Sequence, residues 1–320
     1  MLILVHKHRK GVLFLNIVIV GIGGVGGILG GKLALYNSEN VNFFTRGETL
    51  EKILSNGFEF RSNNKTHIVR PKMAANDPYK IGKADVVIFA VKNYSLESAA
   101  NQIAPIIEKE TVIIPLLNGL EAELKLKETF RLSQVLGGCM YLSAFIVSPG
   151  VVQQNGNVLK VLFGDSNLTE EDNLKKYSGI RDTFVSAGIN TILTSDIENE
   201  MWKKFIMISS LATVTSVYMK NVGELFSDKE SLDMYVGLIH EIVSVAKAKG
   251  IVLPLNIEEE TLNKASAFVP ETKTSMQLDF EKGNRNELEA LTGYVCREAS
   301  KLGIDVALYK RAYNKLKIIA

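Results

Sequence analysis

The stretch Val18–Leu35 reads VIVGIGGVGGILGGKLAL and holds seven glycines in eighteen residues. Glycine loses more conformational entropy on folding than any other residue, so such a density inside one element needs a reason. The short run Asn16–Val20 before the glycines predicts a buried strand, and a helix is predicted from the glycines to about Tyr36. A strand, a glycine-rich turn and a helix in this order predict a phosphate-binding loop.

The loop fits the pattern G-x-G-x-x-G of dinucleotide-binding sites. In that pattern the first glycine makes the tight turn, the second lets a pyrophosphate approach the backbone, and the third permits close packing of the helix on the strand. A purely structural strand-to-helix turn is the alternative. The predicted cofactor-binding residues of the loop are Gly21, Gly23, Gly24, Val25 and Gly26.

The end of the second predicted strand favours one nucleotide over the other. An NAD site usually has an acidic residue there to bind the ribose 2′-hydroxyl. The sequence VNFFTRGE has Thr45 and Arg46 instead, and a guanidinium suits a 2′-phosphate. We therefore predict NADP as the cofactor, with a solvated loop arginine as the alternative.

Alternating strands and helices in the first half predict an α/β domain with a doubly wound parallel sheet of the Rossmann type. Further strands are predicted at Val41–Phe44, Ala84–Lys92 and Thr111–Gly119, with a helix over Ser95–Ile107. The shorter apolar runs between Val135 and Thr194 are expected to complete the same sheet. Ligands of such sheets bind beyond the carboxyl ends of the strands, where Lys92 and Asn118 follow two of them. Both residue types also commonly end strands without any function.

The second half changes character after Ser195, because strand-like runs nearly vanish and long amphipathic stretches follow. We predict an N-terminal extension (1–15), an NADP-binding domain (16–194) and an all-α substrate domain (195–320). The helices of the second domain are predicted at Glu198–Tyr218, Ser231–Lys249, Ile257–Ser266 and Met276–Lys301.

Composition excludes several other classes of protein. A net charge of +2 without a basic block argues against nucleic acid as a partner. The two cysteines, Cys139 and Cys296, are far apart, so neither a disulfide framework nor a metal site is expected, and a reducing cytoplasm fits. In residues 1–15 the charges and the apolar runs have the wrong order for a signal peptide, and no run is long enough to span a membrane. A homodimer stays open.

Two neighbouring lysines of the helix Glu198–Tyr218 are predicted to have different surroundings. Lys204 lies on the same apolar face as Met201 and Leu211, whereas Lys203 can reach Glu200 at i−3. Lysine is seldom buried without a reason, and a desolvated lysine beside a carbonyl is a good acid. The alternatives for Lys204 are a side chain that extends to solvent or a surface pair with Glu200.

A similar contrast separates two acids of the predicted helix Met276–Lys301. Glu287 follows Met276 and Phe280 along the inner face, whereas Glu289 is expected to face solvent. An acid on an inner face is a candidate site residue, with a structural role as the alternative.

Taken together, these features resemble the ketopantoate reductases (2-dehydropantoate 2-reductases), NADPH-dependent enzymes of pantothenate synthesis. The resemblance runs from about Asn16 to the C-terminus. Besides the glycine loop and Arg46, it rests on short motifs that occur in the family's order. They are AVK at Lys92, NG at Asn118, W-x-K at Trp202–Lys204, GEL at Gly223–Leu225, TSMQLD at Thr274–Asp279 and NELE at Asn286–Glu289.

The resemblance implies a role for each matching residue. Lys204 corresponds to the lysine that donates a proton to the keto oxygen, Glu287 to the acid that orients the substrate, and Asn118 to the amide that joins substrate and cofactor. Lys92 and Ser275 also match site positions. A preplaced ammonium stabilises the charge that develops on oxygen more in the transition state than in the substrate.

The sequence departs from the family at the substrate's hydroxy-acid end. Ile208 and Ala212 occupy positions at which the family commonly has asparagines. Thr272 occupies a third position at which the family often has asparagine. Ile208 cannot hydrogen-bond a substrate, and each lost partner is worth about 1–3 kcal/mol. Compensation would have to come from hydroxyls near these positions, and the candidates are Ser209, Ser210 and Thr213.

The sequence thus predicts an NADPH-dependent reductase of a 2-keto acid, ketopantoate first, with the substrate in the cleft between the two domains. One alternative is a related reductase of a more apolar keto acid or ketone. Another is a nucleotide-binding sensor without catalysis, against which the presence of Lys204 and Glu287 argues.

Overall fold

The computed structural model describes residues 15–319. The expected N-terminal extension lies outside these residues apart from Leu15, which is buried in the first core. The chain forms two compact units, the first of residues up to Leu117 and Ala122–Ile197, the second of Asn118–Glu121 and the residues from Glu198 onward. Asn118, expected in the first domain, therefore has its contacts in the second unit.

The strands all lie in the first unit and alternate there with helices. They are β1 (Ile17–Val20), β2 (Val41–Phe44), β3 (Phe58–Ser62), β4 (Lys65–Val69), β5 (Met73–Ala75), β6 (Val86–Phe89), β7 (Val112–Pro115), β8 (Gln134–Val135), β9 (Gly137–Ser148), β10 (Val151–Gly164) and β11 (Asn190–Leu193). The helices are α1 (Gly24–Asn37), α2 (Gly47–Asn56), α3 (Pro78–Ile81), α4 (Leu96–Ile103), α5 (Ala122–Thr129) and α6 (Glu170–Ser186), with 3-10 turns at Ser38–Asn40, Asn93–Ser95 and Ala104–Ile106.

The first sheet has the strand order β5-β2-β1-β6-β7-β8 and is parallel throughout. Because the order reverses direction at β1, the sheet is doubly wound, which confirms the predicted fold class. Alternate residues of β1 face opposite sides. Ile17 and Ile19 join one apolar cluster, and Val18 and Val20 join another, so both faces of this sheet are covered.

The region after β8 does not complete this sheet, contrary to the expectation for Val135–Thr194. It forms a second sheet, in which β10 pairs in parallel with β3 and β11 and antiparallel with β9, while β4 pairs with β3. An apolar run predicts a strand but does not specify the sheet that the strand joins.

Helix α1 contacts residues of both sheets, and this explains the glycines outside the G-x-G-x-x-G motif. A Cβ on Gly30 would lie 2.9 Å from Phe43 of the first sheet. On the other side, a Cβ on Gly27 or Gly31 would lie 2.8 or 2.5 Å from Phe58 or Phe60 of the second sheet. The helix backbone therefore approaches both sheets more closely than a side chain would allow.

The second unit is helical. Its helices are α7 (Ile197–Tyr218), α8 (Val222–Ser227), α9 (Lys229–Ala248), α10 (Ile257–Ser266), α11 (Ser275–Glu281), α12 (Tyr294–Leu302) and α13 (Ala307–Lys317). They share one core of buried apolar residues, with Tyr235 and Tyr309 among the largest. Within the described part of the chain, no helix is both long and apolar enough to cross a membrane.

The predicted helix Met276–Lys301 is interrupted, which corrects the sequence interpretation. Helix α11 ends before Gly283, whose φ of 62° is the left-handed conformation typical of a helix C-terminus. The chain is irregular until Asn286, whose side chain accepts a hydrogen bond from the Leu288 amide at 3.1 Å. A π turn over Glu289–Gly293 then leads into α12.

Candidate functional site

The glycine loop has the geometry that the motif predicts. Gly21 has a φ of 94°, and its amide donates to the Phe44 carbonyl at 3.1 Å. A Cβ on Gly26 would lie 2.0 Å from the Gly21 carbonyl oxygen, so only glycine permits this approach of helix and turn. Gly24 packs against the backbone of Ala144 on β9 in the same way, at 2.7 Å from an added Cβ.

The second glycine of the motif differs from the others. A Cβ added to Gly23 would meet no atom within 4 Å, so packing within the protein does not explain the glycine. Gly23 also precedes α1 without a side-chain cap, and the first turn of α1 has no acidic residue. The first-turn amides, among them those of Gly24 and Val25, can therefore bind an anion. These residues fit the pyrophosphate of a dinucleotide.

Two predicted cofactor residues lie close to this loop within the first unit. Arg46 is exposed and lies two residues after the end of β2, whose Phe44 carbonyl accepts the hydrogen bond from Gly21. Lys92 follows β6, and its neighbour Val91 would contact a Cβ on Gly21 at 2.6 Å. The structure thus brings Arg46 and Lys92 to the edge of the sheet that carries the glycine loop.

The three predicted catalytic residues form a chain of hydrogen bonds within the second unit. The Lys204 Nζ donates to the Asn118 Oδ1 at 3.2 Å. The Asn118 Nδ2 donates to the Glu287 Oε2 at 3.5 Å, a long hydrogen bond. Because a side-chain amide is both donor and acceptor, Asn118 connects the cation and the anion.

Lys204 and Glu287 are both largely buried, with 8% and 4% of their surface exposed. Burial of a single charge is costly, and the opposite charge one amide away reduces that cost. Lys203, by contrast, is bonded to Glu200 at 2.7 Å, as its spacing predicts. In this structure the Lys204 side chain therefore neither extends to solvent nor forms a surface ion pair with Glu200, the two alternatives to a buried position.

The helix that carries Lys204 is held firmly in the core. Trp202 and Phe205 on α7 pack edge-to-face, with ring centroids 5.8 Å apart. Phe205 also packs edge-to-face on Tyr294 of α12 at 5.3 Å. These aromatic contacts, which contribute beyond their buried area, fix α7 to the helix that follows Glu287.

The positions that depart from the family are apolar in the structure too. Ile208 is partly buried against the second core, and Ala212 is 4% exposed. The expected compensating hydroxyls of Ser209, Ser210 and Thr213 are fully buried. They bond inside the core, Ser209 to Tyr309 and Leu291, Ser210 to the Ile206 carbonyl, and Thr213 to Thr292. The structure therefore does not offer them to a substrate.

The remaining predicted substrate residues lie before and at the start of α11. Ser275 is the exposed first residue of this helix, after the N-cap Thr274. Thr274 shares a hydrogen bond of 2.8 Å with Thr215, which ties the start of α11 to α7. Thr272 accepts a hydrogen bond from the Val222 amide through its carbonyl.

One family motif has a structural role. Glu224 of GEL and Asn221 form a reciprocal capping box at the start of α8, with both bonds at 2.9 Å. Sequence reasoning also missed Arg297, which bonds Glu121 and Glu289 near two of the site residues. Arg297 and Glu121 are 176 positions apart, and no local pattern indicates such a pair.

Comparison with known families gives two matches that together include most of the chain. Residues 17–167 match the family described as ketopantoate reductase PanE/ApbA. Residues 196–320 match the family described as ketopantoate reductase PanE/ApbA C terminal.

In the described part of the chain, no cluster of three or more His, Cys, Asp or Glu could hold a metal ion.

Individual relatives are similar over nearly their whole length. The uncharacterized oxidoreductase YkpB of Bacillus subtilis (strain 168) is 27% identical, over 95% of this chain and 98% of the relative. A 2-dehydropantoate 2-reductase of Nostoc sp. is 26% identical, over 94% of each chain. The crystal structure of 2-dehydropantoate 2-reductase from Porphyromonas gingivalis W83 is 29% identical, with a TM-score of 0.81 over 95% of this chain and 99% of that one.

Proposed function

The chain belongs to the ketopantoate reductase PanE/ApbA family, and from this premise we propose that it is an NADPH-dependent reductase of a 2-keto acid. The family consists of NAD(P)H-dependent oxidoreductases, and this chain is an oxidoreductase of that kind. Ketopantoate is our first candidate substrate, and pantoate would be the product. The observation that carries the proposal is the buried chain of hydrogen bonds from Lys204 through Asn118 to Glu287.

The residues of the first unit bind the cofactor in this proposal. The amides at the start of α1 hold the pyrophosphate, and the missing Cβ of Gly23 leaves room for it. A bound NADPH supplies the hydride that reduces the keto carbon. Arg46 binds the 2′-phosphate, because its guanidinium complements a phosphate dianion and no carboxylate takes the usual place of an NAD site.

The residues of the second unit bind and polarise the substrate. As the keto carbon is reduced, negative charge develops on its oxygen, and the Lys204 ammonium stabilises that charge and donates the proton. Asn118 holds the ammonium in place through its Oδ1. Glu287 orients the substrate by accepting a hydrogen bond from its hydroxyl group. The position of the substrate between the two domains stays a prediction.

A second candidate is a reductase of a more apolar keto acid or ketone. Ile208 and Ala212 favour it, because neither can bind the hydroxyl or carboxylate of ketopantoate and the nearby hydroxyls are bonded inside the core. A non-catalytic sensor is less well supported. Such a protein has no need of a buried lysine and a buried glutamate joined by an amide.

Oxidation of NADPH, followed at 340 nm with a panel of 2-keto acids, tests the proposal. The panel contains ketopantoate, its analogue without the hydroxyl, pyruvate and an aryl 2-keto acid. We expect turnover with at least one member, and the relative kcat/KM of the first two distinguishes the two candidate substrates. Binding of NADPH without turnover of any ketone would leave the sensor as the better description.

The choice of cofactor has its own test. We expect the wild type to bind NADPH more tightly than NADH and Arg46→Ala to lose most of that difference, because the 2′-phosphate loses its guanidinium. Affinity for NADH should hardly change in the variant. Equal affinities of the wild type for both cofactors would contradict the role of Arg46.

A further inference from the structure

Arg297 on α12 connects two segments that are distant in sequence. Its Nη2 donates to the Glu121 Oε2 at 3.2 Å and to the Glu289 backbone carbonyl at 3.1 Å. Its Nη1 donates to the Glu289 Oε2 at 3.1 Å. A guanidinium is planar and has several donors in fixed directions, so it can hold three acceptors at once, which an ammonium cannot do in this geometry.

Both connected segments carry residues of the candidate site. Glu121 ends the short segment Asn118–Glu121, which belongs to the second unit by its contacts. Glu289 follows Glu287 by two residues and begins the π turn. Asn118 and Glu287 themselves are joined by the long hydrogen bond of 3.5 Å. Arg297 thus fixes the same two segments at a second point.

The residues around Glu289 hold its carboxylate in position to accept the hydrogen bond from Arg297. The Tyr313 hydroxyl donates to the Glu289 Oε1 at 2.6 Å, so both carboxylate oxygens are bonded. This hydrogen bond raises the pKa of the Tyr313 hydroxyl. A Cβ on Gly293 would lie 2.8 Å from Glu289 and 3.1 Å from Arg297, so a larger residue would displace both.

From these contacts we infer that Arg297 is a positioning residue, which holds Asn118 and Glu287 at the separation that the substrate requires. The inference rests on the proposed function. The side chains of Arg297 and Glu289 are exposed, and exposed ion pairs contribute little to folding stability. The effect of Arg297 is therefore on the geometry of the site, where a displacement of about 1 Å can cost about 10²-fold in rate.

Substitution of Arg297 tests this inference. Arg297→Met keeps most of the aliphatic stem and removes the guanidinium, whereas Arg297→Lys keeps the charge without the fork. We expect Arg297→Met to lower kcat/KM for the keto acid by about 10- to 100-fold and Arg297→Lys to recover part of it. The Kd for NADPH should stay within about twofold, because the glycine loop, Arg46 and Lys92 lie in the other unit, and the Tm should stay within about 2 °C.

A double-mutant cycle separates positioning from a general electrostatic effect. Glu121→Gln should lower kcat/KM in the wild-type background and have no further effect beside Arg297→Met. Lys310→Ala is the matched control, because Lys310 forms an exposed ion pair with Asp305 at 2.9 Å on another helix. It should leave kcat/KM unchanged. Values of kcat/KM for Arg297→Met within twofold of wild type, or fully additive effects with Glu121→Gln, would overturn the inference.

Hydrogen exchange measured by mass spectrometry gives a readout that needs no substrate. Arg297→Met should speed amide exchange in peptides that contain Asn118–Glu121 and Glu287–Gly293, and Lys310→Ala should not. Unchanged exchange in both segments would also overturn the inference. A wild type that reduces no ketone would overturn the proposed function alone, since the exchange result does not depend on turnover.

Discussion

Lys204 is the residue on which the proposed chemistry depends most directly. Lys204→Ala removes the group that, in the proposed mechanism, donates the proton and stabilises the developing alkoxide, so kcat should fall by about 10²–10⁴-fold. The Kd for NADPH should hardly change, because the glycine loop, Arg46 and Lys92, which would hold the nucleotide, lie in the first unit. Steady-state kinetics with the best keto acid and a fluorescence titration of NADPH measure the two effects.

Lys203→Ala is the control, because this neighbouring lysine has the same charge but is bonded to Glu200 on the helix surface. Its kcat should stay within about twofold of wild type, since a partly exposed i,i+3 pair away from the proposed site contributes little. A Lys204→Ala enzyme with near-normal kcat, under conditions in which chemistry limits the rate, would remove Lys204 from the mechanism.

Substitution of Ile208 distinguishes between the two candidate substrates. If that substrate is ketopantoate, Ile208→Asn restores an amide that binds it, and KM for ketopantoate should fall. If the native substrate is more apolar, the same change leaves a polar group without a partner, and the native reaction should lose about 10-fold or more in kcat/KM. Parallel kinetics with both substrates decide between the two results. An unchanged KM for ketopantoate would show that this position does not set specificity.

At the scale of single residues, the sequence predicts which side chains of a helix are buried, because burial follows the helical spacing. A shift of one position around α7 separates buried Lys204 from Lys203, and helical periodicity predicts that difference. Glu287 is buried as predicted, although the predicted helix is interrupted before it. The bonds of Arg297 to Glu121 could not be foreseen, because they depend on the packing of segments far apart in sequence.

At the scale of the elements, a substitution in the glycine loop can change the affinity for NADPH without changing the stability of the fold. Gly23→Ala places a methyl group in open space at an ordinary φ of −90°, so the Tm should stay within about 2 °C. The same methyl group should obstruct the pyrophosphate and raise the Kd for NADPH by about 10-fold or more. Thermal unfolding and cofactor titration of the one variant measure both quantities.

Gly26→Ala is the matched contrast, since its methyl group would lie 2.0 Å from the Gly21 carbonyl oxygen. This backbone clash should destabilise the protein by about 3 kcal/mol. A Gly23→Ala protein that binds NADPH as tightly as the wild type would show that the loop does not contact the pyrophosphate.

Most of the first sheet can be predicted from the sequence, and the second sheet cannot. Continuous apolar runs between helices identify β1, β2, β6 and β7, because strands covered on both faces read that way. Strands β9 to β11 show similar runs, but their pairing with β3 and with one another depends on tertiary contacts. The extra glycines Gly27 and Gly31 were a signal of that second sheet, since they open the far face of α1 to Phe58 and Phe60.

At the scale of the whole molecule, each unit has its own core, and cofactor binding is expected to stabilise the folded state by linkage. NADPH at about 100 times its Kd should add about 2.7 kcal/mol. That corresponds to a rise in Tm of roughly 5–10 °C for a unit of this size. Differential scanning fluorimetry measures the shift. The same NADPH concentration should give a smaller rise with Gly23→Ala, and no rise for the wild type would contradict the proposed cofactor site.

The π turn at Glu289–Gly293 also fixes how the length of the chain can vary. Its Gly293 amide bonds the Leu288 carbonyl at 2.9 Å, five residues back, so the turn contains one residue more than an α-helical turn. Deleting Ala290 would close the π turn into an α-helical one. Because about five residues of a π turn and about four of an α-helix each complete roughly one turn, Glu287 should keep its direction relative to α12. We expect such a deletion to bind NADPH normally and to retain reduction, which cofactor titration and turnover together can check. Homologous reductases with the same chemistry should accordingly tolerate the loss of this one residue between Glu287 and Tyr294, while longer insertions and deletions accumulate in the exposed loop just before Asn286.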